Sequence, residues 1–394
     1  MDLTAVLRHA VESGASDVHF KLGQPPVLRY DGLLAATPEF PPFGDAELES
    51  VLDQVTRSAP RRRQEFDETG ELDIAYSEPE LPRFRVNGFR QRGAVSFAFR
   101  ILSDTIPSFE ELHLPRGVAR LAEEQRGLVL VTGATGSGKS TTLAAMLDHI
   151  NRTRQLHIVK IEDPIEILHP DHGCIVSQRE VGLDTDSFRE GLRRVLRQDP
   201  DVILIGELRD AETARVALQA AESGHLVFST LHTLDAAETI GRMVELFPPA
   251  KQAQIVAILA GVLRGVISQR LMPRSGGGRV PAVEVLVSNA RIADLIRELR
   301  SEDIPEAIAE GEFFDMQTFS KALIDLVLAG LVDRESAANA ATNRHDFEIA
   351  VEHALKSRAT GSSEPVDEPA FRRVSTPSPE PAQEPIGNLR LAGS

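Results

Sequence analysis

The run Gly133-Ala134-Thr135-Gly136-Ser137-Gly138-Lys139-Ser140 meets every fixed position of G-x-x-x-x-G-K-[ST], the phosphate-binding loop of nucleoside triphosphatases. Its flanks are readable. Leu128 to Thr132 predicts a buried strand and Ser140 to Ile150 predicts a helix, so the glycines fall on a strand-to-helix turn. Glycine lets the main chain turn tightly enough for its N–H groups to face phosphate, and the helix N-terminus adds partial positive charge. On this reading Gly133 to Ser140, with Thr141 behind them, cradle ATP. Lys139 pairs with the β- and γ-phosphates, and Ser140 ligates Mg²⁺.

A phosphate loop alone does not say what the nucleotide is used for, so the strand ends that would face it decide the chemistry. Leu156 to Ile161 reads as a strand that runs into Glu162-Asp163-Pro164-Ile165-Glu166, carboxylates at the end where open α/β sheets bind ligands. Asp201 to Glu207 is a second such strand, with Gly206 where an Asp usually precedes the Glu. Glu207 is therefore expected to hold Mg²⁺ through a bound water, and Glu162 to orient or deprotonate the attacking water. A third apolar strand, from His225 to Thr233, ends near His232, placed to sense the γ-phosphate. A lone acid at a strand end is ordinarily just solvated, and a lone His in a strand is ordinarily structural. Gathered around a phosphate loop, these groups read as a hydrolytic site.

Composition sets the bounds. At 394 residues and 42% hydrophobic, the chain is long enough for two buried cores plus extras. A net charge of −16 argues against a nucleic-acid translocase, whose affinity rests on many Lys and Arg contacts to phosphate. The single cysteine, Cys174, excludes an internal disulfide and a Cys-rich zinc site, and suits a reducing cytoplasm. The N-terminus lacks a signal-peptide pattern. The longest apolar stretch, Ile255 to Leu263, is too short to span a bilayer, so membrane contact is expected to go through a partner.

Along the chain, Leu3 to Glu12 predicts an amphipathic helix, and Asp17 to Leu33 predicts strands turning at Gln24-Pro25-Pro26 and Asp31-Gly32. Leu72 to Phe99 predicts a strand pair with Val86, Val95, Phe97 and Phe99 in a core. Residues 104–116, marked by Pro107 and Pro115, are the expected linker between an N-terminal domain, 1–103, and a core, 117–287. Ser187 to Leu196 predicts a helix with an arginine stripe at Arg189, Arg193 and Arg197 that reads equally as a solvated face. The pattern is helical over 288–358. Residues 359–394 are too polar and too rich in Pro, Ser and Glu to fold, and are expected to be disordered.

From Met1 to about Arg358 the chain resembles the PilT-type retraction ATPases of type IV pili, within the superfamily of bacterial secretion and pilus ATPases. The strings that carry the resemblance are Ser16-Asp17-Val18-His19 with Gln24-Pro25-Pro26, Phe84-Arg85-Val86-Asn87, Thr135 to Met146, Ile161 to Glu166, Gln198 to Asp210 and Ser223 to His232. The resemblance implies an α/β protomer with a PAS-like N-terminal domain and a RecA-like core whose sheet is mainly parallel, assembled as a homo-hexamer with ATP between protomers. It maps Glu162 onto the family's Asp box, Glu207 onto its Walker B glutamate, and His225 and His232 onto its His box. It also makes Arg85 and Arg100 fingers for a neighbour's γ-phosphate, with Arg92 as the alternative donor and surface solvation as the plain reading of each. An inner-membrane pilus platform protein is the implied partner, with a paralogous retraction ATPase as a second. Extension and type II secretion ATPases of this superfamily typically carry a tetracysteine metal module and a longer N-terminal region, which this chain lacks. Where retraction ATPases read Ala-Ile-Arg-Asn-Leu-Ile-Arg-Glu, the chain reads Arg291-Ile292-Ala293-Asp294-Leu295-Ile296-Arg297-Glu298. That departure keeps open an accessory, PilU-like paralogue, and a nucleotide-binding regulatory subunit stays open beside it.

Overall fold

The computed structural model describes residues 2–30, 32–102 and 105–359. The expected disordered tail lies outside them, apart from Ala359 itself. The N-terminal part runs α1 (Leu3–Glu12), β1 (Asp17–Phe20), β2 (Val27–Tyr30), β3 (Leu33–Ala36), α2 (Asp45–Val55), α3 (Pro60–Thr69), β4 (Glu71–Tyr76), β5 (Phe84–Gln91) and β6 (Ala94–Ile101). The Asp2 side chain caps α1 by accepting from the Ala5 N–H, and Leu3, Val6, Leu7 and Ala10 form its buried stripe. The six strands make one sheet in the order β3-β2-β1-β6-β5-β4, with every pair antiparallel. Arg92 and Gly93, both at positive φ, close the β5–β6 hairpin in the two-residue turn that matches strand twist.

Two expectations change here. Residues 72–99 hold most of three strands rather than a pair, because Pro79 and Pro82 lie in a connection that ends β4 before β5 begins. The helices α2 and α3 were not foreseen either. Val86, Val95, Phe97 and Phe99 are buried as expected, in a core shared with α1 and α2.

The second sheet is built from α4 (Arg116–Ala122), β7 (Gly127–Thr132), α5 (Lys139–Thr153), β8 (His157–Glu162), β9 (Ile175–Glu180), α6 (Phe188–Val195), β10 (Val202–Ile205), α7 (Ala211–Glu222), β11 (Leu226–Leu231), α8 (Ala236–Glu245), α9 (Pro249–Val262), β12 (Leu263–Pro273) and β13 (Arg279–Val287). Its order is β13-β12-β7-β11-β10-β8-β9, parallel throughout except for the β12–β13 hairpin. Helices on both faces bury it. Every residue of β7, β10 and β11 is accordingly buried, which is why these strands read as unbroken apolar runs. Because β7, β8, β10 and β11 are parallel neighbours, the loops after them open at one edge, and the phosphate loop is one of these.

Residues 105–115 form no helix or strand, but they are anchored: Phe109 and Leu114 are buried in the core of the second sheet. The C-terminal elements are α10 (Ala290–Arg297), α11 (Ile304–Ala309), α12 (Phe319–Leu328), α13 (Arg334–Ala340) and α14 (Arg344–Ala359), with 3₁₀ turns at Ser301–Asp303 and Glu312–Phe314. The expected helical region divides in two. Ile292, Leu295, Ile296, Ile304 and Ile308 join the core of the second sheet, whereas Phe319, Leu323, Phe347 and Val351 form a small separate core against Met272, Val280 and Ala282 of the hairpin.

Candidate active site

Beyond Thr132 the chain turns through Gly133, Gly136 and Gly138, all at positive φ, before Lys139 opens α5. Gly133 is confined as well as twisted. A Cβ there would lie 2.4 Å from the Gln269 carbonyl oxygen and 2.5 Å from the Ser137 hydroxyl. Gln269 in turn donates to Thr142 Oγ1 at 2.9 Å, so β12 buttresses both the loop and α5. Ala134, Thr135, Gly136 and Ser140 are exposed, and the buried Ser137 hydroxyl has no hydrogen-bond partner. Lys139 Nζ donates to the carbonyls of Gly133 at 2.8 Å and Ala134 at 3.0 Å. Burial pushes its pKa down, and Glu207 and Glu166 pull it back up, which places both carboxylates within electrostatic reach of the loop. A cradle of this shape, with a cation and a helix N-terminus, fits a polyphosphate. Gly133→Ala should therefore weaken nucleotide binding by roughly tenfold or more, because the strained φ and the two close oxygens would displace the loop; titration with a fluorescent ADP checks it.

The opposite wall comes from β8 and β10. Gly206 N–H donates to the Ile161 carbonyl at 2.8 Å, and a Cβ on Gly206 would sit 3.5 Å from Glu162 Cα. The residue in the usual Asp position thus lies directly beside Glu162, with ordinary van der Waals room for a Cβ. The Glu162 side chain is 14% exposed; burial raises its pKa, against the opposing pull of Lys160 Nζ, 2.9 Å from Oε2. Sequence reasoning missed Lys160. Its signal was present, since a single cation in Leu156 to Ile161 stands two residues before the carboxylate and so on the same face of the strand. Burial acts to raise the pKa of Glu207 too, but its pairing with Arg209 and the nearby His232, 3.4 Å from Oε2, outweigh that and hold it below the ordinary value. Glu207, Arg209 and His232 border a pocket of about 550 Å³ that extends to Thr233, Glu238 and Arg242.

His225 is not brought to this cluster. Its carbonyl accepts from Gly127 N–H at the start of β7, while its ring contacts Ser223 and the Ala220 carbonyl. β11 separates it from His232 by the strand's whole length, roughly 20 Å at 3.3 Å per residue. The two histidines cannot serve one site within one chain.

The arginines of the first sheet divide in the same way. Arg85 and Arg100 are register partners on β5 and β6. Arg85 donates to Asp73 at 2.7 Å and to Glu166 of its own chain at 3.0 Å, whereas Arg100 contacts Asp17 and is 66% exposed. Arg92 sits in the turn at the other end of that hairpin. Two further arginines went unforeseen. Arg62 donates to Asp163 at 2.7 Å and to the Val181 carbonyl; Arg83 donates to the Ile165 carbonyl at 3.0 Å and to Glu180 at 2.8 Å. Arg62, Arg83 and Arg85 thus all hold the short segment that follows Glu162. The stripe on α6 is a solvated face at its resolved pairs, since Arg189 and Arg193 both meet Glu212. On α10, the departing Arg291 pairs with Glu310 and Asp294 with Arg297, while Ile292, Leu295 and Ile296 are buried.

A phosphate loop after a central parallel strand, with carboxylates on the adjoining strand ends, defines a P-loop nucleoside triphosphatase. A sequence profile of the family described as type II/IV secretion system protein matches residues 97–309, more than half of the chain. The chain is 44% identical over 347 residues to the type IV pilus retraction ATPase PilT of Pseudomonas aeruginosa, covering 88% of this chain and all of that protein. It is 39% identical over 360 residues to the type IV pilus ATPase PilU of the same organism, covering 91% and 94%. The crystal structure of the pilus retraction motor PilT with bound ADP superposes with a TM-score of 0.81 at 43% identity, over 88% of this chain and 99% of that one. The chain belongs to the type II/IV secretion system family as an ATPase of the PilT type.

Proposed function

We propose that the chain is a motor that hydrolyses ATP in a homo-hexameric ring to shorten type IV pili. The observation that carries this reading is the end-to-end match to a retraction ATPase, which includes the first sheet as well as the ATPase core. In this reading the backbone of Gly133 to Thr141 and the Lys139 ammonium bind the phosphates. Ser140 and Glu207 would hold Mg²⁺, which would supply charge neutralisation to the phosphates. Glu162 takes a proton from water as the water oxygen bonds to the γ-phosphorus and the bond to the β–γ bridging oxygen breaks, leaving ADP and phosphate. His232, beside Glu207, reads the γ-phosphate. Arg100, exposed near the end of β6, and Arg85, once released from Glu166, neutralise charge on the neighbouring protomer's nucleotide.

The proposed place of work is the cytoplasmic face of the inner membrane, against a pilus platform protein and beside a paralogous ATPase. No described helix is long and apolar enough to cross a membrane, which supports contact through a partner. Of the changed residues of α10, Arg291 and Asp294 make ion pairs within the chain and Ala293 is buried, so the departure from the retraction pattern leaves the packing of that helix intact. Deleting the gene should leave cells with surface pili that fail to shorten under fluorescence microscopy, and the intact gene should restore shortening. Loss of pili on deletion would instead identify an extension motor, and normal shortening would identify an accessory subunit.

A further inference from the structure

Lys160 is a cation inside the protein, its side chain 1% exposed on a strand flanked by β9 and β10. An ammonium survives there only if its protons are engaged and its charge is matched. Both conditions are met. Nζ donates to the Ile167 carbonyl at 2.7 Å and lies 3.2 Å from His169 Nδ1, with Gln178 Oε1 at 3.4 Å. Burial and the lysine charge push His169 down to about 4, so its ring is neutral, and its Nε2 contacts the Ala144 carbonyl of α5 at 3.1 Å. The remaining neighbour is Glu162 Oε2 at 2.9 Å, a buried oxygen whose charge the ammonium matches. The carboxylate therefore has its charge matched at Oε2, on the side facing the protein interior. The other charges bearing on it are Glu166, of like sign, and Arg83, already bound to Glu180.

We propose that Lys160 is a positioning residue for hydrolysis, an internal counter-ion that fixes the Glu162 carboxylate at the end of β8 and, through His169, ties it to the helix that follows the phosphate loop. This rests on Glu162 being the base. Lys160 touches neither nucleotide nor water. It acts by supplying the nearest positive charge to a carboxylate that burial and Glu166 otherwise disfavour, and by holding the chain from Ile167 to His169 against α5. A residue that only stabilised the fold would alter nucleotide binding and turnover together, whereas this arrangement affects turnover alone.

The experiment compares ATP turnover by Lys160→Met, Lys160→Gln, Lys160→Arg and Glu162→Gln, together with the double variant Lys160→Met/Glu162→Gln, as full-length protein. Lys160→Gln keeps a donor for the Ile167 carbonyl and covers the case in which the methionine variant does not fold. Removing the charge should lower kcat by about 10- to 100-fold with KM within about threefold, Lys160→Arg should recover part of the loss, and the methionine change should cost less than about threefold once Glu162 is already Gln. Turnover lost in Glu162→Gln but kept in the soluble neutral Lys160 variants would overturn the proposal alone. Losses that add in the double variant, or a rise in KM that matches the fall in kcat, would also overturn it. Turnover that survives in Glu162→Gln would overturn the base assignment, and this inference with it.

Discussion

Replacing Lys139 by Ala should reduce ATP turnover to roughly a thousandth of the parent rate or less, the scale on which a cation at the transferring phosphate acts. Its Nζ is the only ammonium of the phosphate loop, and within the chain it is held by two carbonyls of that same loop. Once phosphate replaces those carbonyls, the cation can follow charge onto the β–γ bridge as it builds; no neighbouring side chain of Gly133 to Ser140 can do so. The side chain lies at the rim of the loop rather than in a core, so circular dichroism and the thermal midpoint should match the parent. Steady-state phosphate release measures the effect. Residual activity above about a tenth would show that another group supplies the charge, and would remove Lys139 from the mechanism.

Glu162→Gln should leave ATP binding intact and slow hydrolysis by about a hundredfold or more, the usual contribution of a positioned general base. Glutamine keeps the shape at the end of β8 and can still orient water, but it cannot accept its proton. The two effects separate cleanly in a single-turnover experiment, where bound ATP should persist. Loss of ATP binding would mean that the carboxylate does no chemistry and serves only as the partner of the buried Lys160 ammonium, holding the strand end in place.

The sequence exposed most where chemistry and local geometry coincide. The phosphate loop, its two flanking elements and the carboxylates after β8 and β10 are consecutive in the chain, so spacing alone locates them. What stayed hidden depends on contacts between distant segments. Lys160 drew no reading within its strand, and only the return of the chain at Ile167 and His169 shows why a cation is tolerated there. Arg62 and Arg83 lie about a hundred residues from the carboxylates they meet, a pairing with no local signature. His225 illustrates a different limit: the resemblance grouped it with His232, and the parallel pairing of β11 with β7 places it at the end of the strand away from the phosphate loop. The strand β4 was merged with β5 because the alternation continues on both sides of the two prolines.

The two large cores share no buried residue, and the contacts described between the first sheet and the segment after Glu162 run from arginine to carboxylate or carbonyl. The more exposed of them, such as Arg85 with Glu166, are each worth about 0–1 kcal/mol because water and salt replace them readily, whereas the buried Arg83–Glu180 pair is better shielded. A seam made this way can part and reseal without baring oily surface to solvent, so repeated opening carries no penalty in stickiness between molecules. It also makes wear a matter of ionic strength. Salt loosens such a joint while leaving both cores intact, so the protein's mechanical softness is set by its medium as much as by its fold.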